Sequence, residues 1–139
     1  MINKIELSWK GEMLFESKAP EGTVMIDAAE DAGGQGKGLR PKAMMLTSLA
    51  GCTAMDIASL LKKMRAEVED FKIEVEGNLT EEHPKIYDKV KVTYLFFGKD
   101  FQKDKIEKAV NLSVDRYCGV MHMFRQFAEV SIEIQYFDN

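Results

Sequence analysis

The chain has 139 residues, 45% apolar and 30% charged, with a formal net charge of −4. That length suits one domain with a packed core and falls short of two ordinary ones. No stretch gathers Lys or Arg without acidic neighbours, which removes the footprint for nucleic acid, and no unbroken apolar run approaches the roughly 18 residues of a membrane span.

The N-terminus, MINKIELSWK, alternates instead of forming an apolar leader, so a cytoplasmic protein is expected. Ile5, Leu7 and Trp9 alternate with Lys4, Glu6, Ser8 and Lys10, the pattern of a half-buried strand. A turn at Gly11 leads to a second strand, Met13 to Ser17, and Pro20-Glu21-Gly22 leads to a third, Thr23 to Asp27. Short turns between successive strands predict an antiparallel meander. DAGGQGKGLRP, residues 31 to 41, then reads as a loop. A phosphate-binding P-loop would need Gly at 31 and Ser or Thr at 38, where the chain has Asp31 and Gly38. A mobile connector is expected, ending where Pro41 can take the first turn of a helix.

From about Lys42 to Arg65 the sequence is apolar around most of a helical circumference: Met44, Leu49, Met55, Ile57, Leu61 and Met64 lie on different sides. Such a helix is predicted to be buried nearly all round, wrapped by a sheet or covered by a second subunit. Phe71 to Leu79 and Ile86 to Phe96 alternate and are separated by the polar connector TEEHPK, which predicts a hairpin. Asp104 and Glu107 have capping-box spacing, and Ile106, Ala109, Val110, Ser113, Val114 and Tyr117 supply one helical face. A short helical piece, Gly119 to Arg125, precedes a last strand through Val130, Ile132, Ile134 and Tyr136. The order β-β-β-α-β-β-α-(α)-β is α+β, in a single domain spanning residues 1–139.

Gly51 and Cys52 stand side by side inside the apolar helix. Glycine there costs about 1 kcal/mol relative to alanine, and its use would be to let a backbone or a substrate approach the neighbouring sulfur. Asp56, four residues on, disfavours a thiolate, so a reactive Cys52 needs compensating positive charge. Arg40, Lys42 and His122 are the candidates. Cys118 and His122 are also four apart and share a helical face. A zinc site would need two further ligands, with only Cys52 and either Asp56 or His83 left to supply them, so no metal is expected. Two unrelated core thiols remain the plain alternative to a redox pair.

The run RPKAMMLTSLAGCTAMDIASLLKKMR, followed by RYCGVMHM, resembles the two signature segments of the OsmC/Ohr family of osmotically inducible and organic hydroperoxide resistance proteins. The helix ending Lys-Lys-Met-Arg is similar to the YhfA-like branch. The resemblance implies an OsmC-like α+β fold with a buried central helix, in an intertwined homodimer with its active sites at the subunit interface. It also implies thiol-dependent reduction of organic hydroperoxides without a cofactor, with Cys52 as the attacking cysteine and Cys118 as the resolving one. A small or lipoyl-linked dithiol would be the reductant. Characterised members carry a glutamate nine or ten residues before the first cysteine, paired with an N-terminal arginine. Here Lys42 and Ala43 stand at those positions and no arginine precedes Arg40, so a slow peroxidatic Cys52 is expected unless Arg40 or Lys42 supplies the charge. The competing function is a non-enzymatic dimeric module that binds an apolar ligand in the interface cleft.

Overall fold

The computed structural model describes residues 1–139. They group into two compact units, Met1–Met45 and Leu46–Asn139, where the sequence predicts one domain.

In the first unit, β1 (Glu6–Trp9), β2 (Phe15–Ala19) and β3 (Gly22–Ile26) form an antiparallel sheet in chain order. This is the expected meander, with β2 starting two residues later and β3 one residue earlier than the alternation suggests. Ile5, Leu7 and Trp9 are exposed, Trp9 at 68%. Alternation marks which residues share a face of a strand and does not by itself bury that face. The loop after β3 is fastened, in contrast to the mobile connector its glycines suggest. Buried Asp27 accepts the backbone N–H groups of Ala28 at 2.8 Å, Gln35 at 2.9 Å and Lys37 at 3.2 Å. The bonds from Gln35 and Lys37 hold its carboxyl below the usual carboxylate range, against the opposing effect of burial. Leu39 bridges to Ile26, and a Cβ on Gly34 or Gly38 would run into the backbone of Ala28 or Met25. These glycines allow close packing of the loop onto the strand end.

Helix α1 spans Pro41–Met64, with proline at the position where no N–H is needed. Its buried residues are Leu49, Thr53, Ile57 and Leu61, a single stripe at four-residue spacing. Within the single chain the rest of the helix is not enclosed: Met45 and Met55 are exposed, Met55 at 75%. A three-stranded sheet offers one surface, and one surface takes one helical face. By length and composition α1 is also long and apolar enough to cross a membrane. No unbroken apolar run shows this because Ser, Thr, Gly and the single charge of Asp56 interrupt it.

The end of α1 is built by backbone geometry. Arg65 adopts φ +55°, Ala66 N–H donates to the Leu61 carbonyl at 3.0 Å, and Arg65 N–H donates to Lys62 at 3.2 Å. This is a Schellman cap with arginine where glycine is usual. The last carbonyls receive further donors, Gln102 Nε2 to Arg65 at 3.1 Å and Lys105 Nζ to Met64 at 2.9 Å. Because those bonds use the Arg65 backbone alone, Arg65→Gly should keep them and remove left-handed strain. A gain of about 0.5–1 kcal/mol is expected in urea unfolding, and a loss would show that the arginine side chain holds the cap.

In the second unit, β4 (Asp70–Leu79), β5 (Tyr87–Gly98) and β6 (Glu129–Asp138) form a sheet with β5 central. The β4–β5 hairpin is antiparallel as expected, and β6 joins β5 in parallel. The registers stack four inward rows: Phe71–Phe96–Tyr136, Ile73–Tyr94–Ile134, Val75–Val92–Ile132 and Gly77–Val90–Val130. Leu49, Ile57 and Leu61 of α1 share one core with this face and with α2 (Lys103–Leu112) and α3 (Gly119–Phe124). The expected capping box does not form. Helix α2 starts at Lys103 with Gln102 as its cap residue and no side-chain capping bond, because the Gln102 amide is turned to Arg65. Glu107 meets the Tyr136 hydroxyl instead of reaching back.

Between α2 and α3, Ser113–Tyr117 form a π-helical turn closed by Cys118 N–H to the Ser113 carbonyl at 2.8 Å. Ile106, Ala109, Val110, Ser113 and Val114 face inward as predicted, but Tyr117 is exposed and Cys118 takes the buried position. The wider turn advances the inward face by one residue, about 100°.

Candidate functional site

Helix α1 carries Cys52 half-buried beside its core stripe, next to fully buried Thr53. A Cβ placed on Gly51 meets nothing within 4 Å, so the helix surface next to this sulfur is open within the second unit. Cys118, brought inward by the π turn, is 3% exposed. Its Sγ accepts the Met121 N–H at 3.3 Å, and the Cys52 side chain lies near enough to act on its thiol. Both cysteines are free. Burial pushes the Cys118 thiol up to about 12; the neighbouring Cys52 side chain and the charge of Asp56 add to this, and the Met121 N–H opposes it.

A chain of polar groups runs behind the two thiols. Thr53 Oγ1 bonds the Tyr94 hydroxyl at 2.9 Å and Ser113 Oγ at 2.7 Å, and Ser113 donates to Asp56 Oδ2 at 2.8 Å. Thr53, Tyr94 and Ser113 are fully buried, and no buried side-chain N or O lacks a partner. Burial raises Tyr94 to about 12; its bond to Thr53 opposes this, the charges of Cys118 and Asp56 add to it, and Arg125 opposes it. The sequence presents Asp56 as an unfavourable charge and a possible zinc ligand, and Ser113 as part of an apolar face. The available signal was that Thr53 and Ser113 are hydroxyls at inward positions of helices, where an unpaired one is costly.

His122 is exposed at the end of α3, its backbone N–H bonded to the Cys118 carbonyl at 3.1 Å, and it is not among the groups that perturb the Cys118 thiol. Arg40 precedes α1 and Lys42 opens it, both in the first unit. Arg125, which the sequence did not single out, directs its guanidinium to the Val114 carbonyl at 3.1 Å and to Asp115 at 3.4 Å. No three His, Cys, Asp or Glu side chains are gathered as metal ligands.

Residues 34–133 match the family model described as OsmC-like protein. The chain belongs to the OsmC-like family. It is 28% identical to Protein YhfA of Escherichia coli (strain K12) over 125 residues, 90% of this chain and 91% of that protein. Among OsmC-like folds of known structure, a hypothetical protein of Aquifex aeolicus VF5 superposes with a TM-score of 0.88 at 32% identity, covering all of this chain and 98% of the other. The organic hydroperoxide resistance protein OhrB of Bacillus subtilis superposes with a TM-score of 0.67 at 19% identity, over 96% and 98% of the two chains. At that identity the likeness is one of fold.

Proposed function

We propose that this OsmC-like protein reduces organic hydroperoxides through Cys52 and Cys118. The observation that carries the reading is that two free thiols, far apart in sequence, come near enough for Cys52 to act on the Cys118 thiol. The Cys52 thiolate attacks the distal oxygen of ROOH. The O–O bond breaks, the alcohol leaves with a proton from solvent, and Cys52 becomes a sulfenic acid. Cys118 then closes a disulfide on it with release of water. A small or lipoyl-linked dithiol returns both thiols and is itself oxidised to a disulfide. Burial supports this order of events: Cys118 is held protonated, whereas Cys52 borders the open helix surface at Gly51.

The working form is a cytoplasmic homodimer. Met55, Tyr117 and Met123 are exposed in the single chain, and exposed apolar side chains on the elements that carry the two thiols suit a second copy and an alkyl substrate better than bulk water. Light scattering at micromolar concentration should give twice the 15.8 kDa chain mass, and a stable monomer would refute the dimer. For the chemistry, the reduced protein is titrated with cumene hydroperoxide. Both thiols should disappear per equivalent, with an intramolecular disulfide formed. Thiols that survive the titration would leave the apolar-ligand module as the reading.

A further inference from the structure

We propose that Ser113 is a positioning residue that sets Cys118 against Cys52 for disulfide closure, gripped from α1 by Thr53 and Asp56. The inference rests on the two-thiol chemistry above. Ser113 bonds in three directions. Its hydroxyl meets Thr53 Oγ1 at 2.7 Å and Asp56 Oδ2 at 2.8 Å, and its carbonyl accepts the Cys118 N–H at 2.8 Å. Thr53 directly follows Cys52, and Asp56 lies one helical turn beyond it. One buried serine therefore joins the segment that carries one thiol to the segment that carries the other. Thr53 is anchored in turn to Tyr94 on the central strand at 2.9 Å.

The clamp matters because of the turn it holds. Cys118 points inward only while Ser113–Tyr117 keeps its π geometry. Relaxation to an α turn would rotate it by about 100° away from Cys52. In the resolving step the Cys52 S–O bond of the sulfenic acid breaks and the Cys52–Cys118 S–S bond forms. The hydroxyl leaves with the Cys118 thiol proton as water. No atom of Ser113 takes part, and its contribution is the fraction of time the two sulfurs are in range.

The test is the equilibrium of the purified full-length protein with reduced and oxidised dithiothreitol, which involves no hydroperoxide. Asp56→Ala and Asp56→Asn both remove the charge, and only the asparagine keeps an acceptor for Ser113. Thr53→Val and Thr53→Ser form a second pair, in which only the serine keeps the hydroxyl. In each pair the variant without the bond should form the Cys52–Cys118 disulfide about fivefold less favourably, the scale of one hydrogen bond. Melting of the reduced proteins is followed in parallel, because a purely structural role would lower the melting temperature and leave the disulfide equilibrium unmoved. Agreement within twofold in either pair overturns the proposal. Should Thr53→Val fail to fold, the Asp56 pair decides alone, since that side chain is only half-buried on the helix. A wild type that consumes no hydroperoxide while the pairs still differ would end the proposed function and leave the clamp standing.

Discussion

Cys52→Ser is expected to bring organic hydroperoxide consumption to background, whereas Cys118→Ser should consume one equivalent and stop. The contrast follows from the unequal surroundings of the thiols. Burial holds the Cys118 thiol far above its usual range, so it carries too little thiolate at pH 7 to replace Cys52 as nucleophile. In Cys118→Ser the first step has its reagents but no resolving partner, so Cys52 sulfenic acid should accumulate. It is read by mass spectrometry after trapping with a cyclic dione. Turnover retained by Cys52→Ser would reverse the roles, and catalytic turnover by Cys118→Ser with a dithiol would show that external thiol resolves directly.

Phe96→Ala should cost about 3–5 kcal/mol, a large part of the 5–15 kcal/mol that stabilises a typical domain. Phe96 is fully buried on the central strand. Its ring lies between Phe71 at 5.9 Å and Tyr136 at 6.0 Å, so one truncation opens a row across all three strands. Phe97, one residue along, faces the other way and stacks on partly exposed Phe137 at 5.1 Å. Phe97→Ala should cost much less. Urea midpoints of the two variants check the difference, and similar losses would mean that the two faces of the sheet are equally packed.

The elements of the fold were legible because their signals are local. Period-two alternation placed β4, β5 and β6 with most of the right residues inward, Leu79 and Ile86 at the hairpin end being exposed, and the apolar run placed α1. What surrounds an element is set by distant parts of the chain, and local pattern does not report it. The apolar circumference of α1 exceeds what three strands cover in one chain, and the alternation at Trp9 marks a face that is open there. The cysteine pair came from resemblance. Its geometry depends on one extra residue in the turn at Ser113–Tyr117, and no sequence period announces such a turn. The Thr53–Ser113–Asp56 bonds were hidden for a related reason: they link positions about 60 residues apart, and each residue alone looks unexceptional.

The parallel pairing of β5 with β6 has a consequence for how the chain is made. A ribosome releases β5 well before β6, with α2, the π turn and α3 in between. Until Glu129–Asp138 emerges, the central strand has one open edge, and its ten paired positions there have no partner. Both cysteines are synthesised before that edge closes. A chain stalled or truncated short of residue 129 thus presents a bare strand beside exposed thiols, which makes it a candidate for aggregation and for cross-linking to other nascent chains.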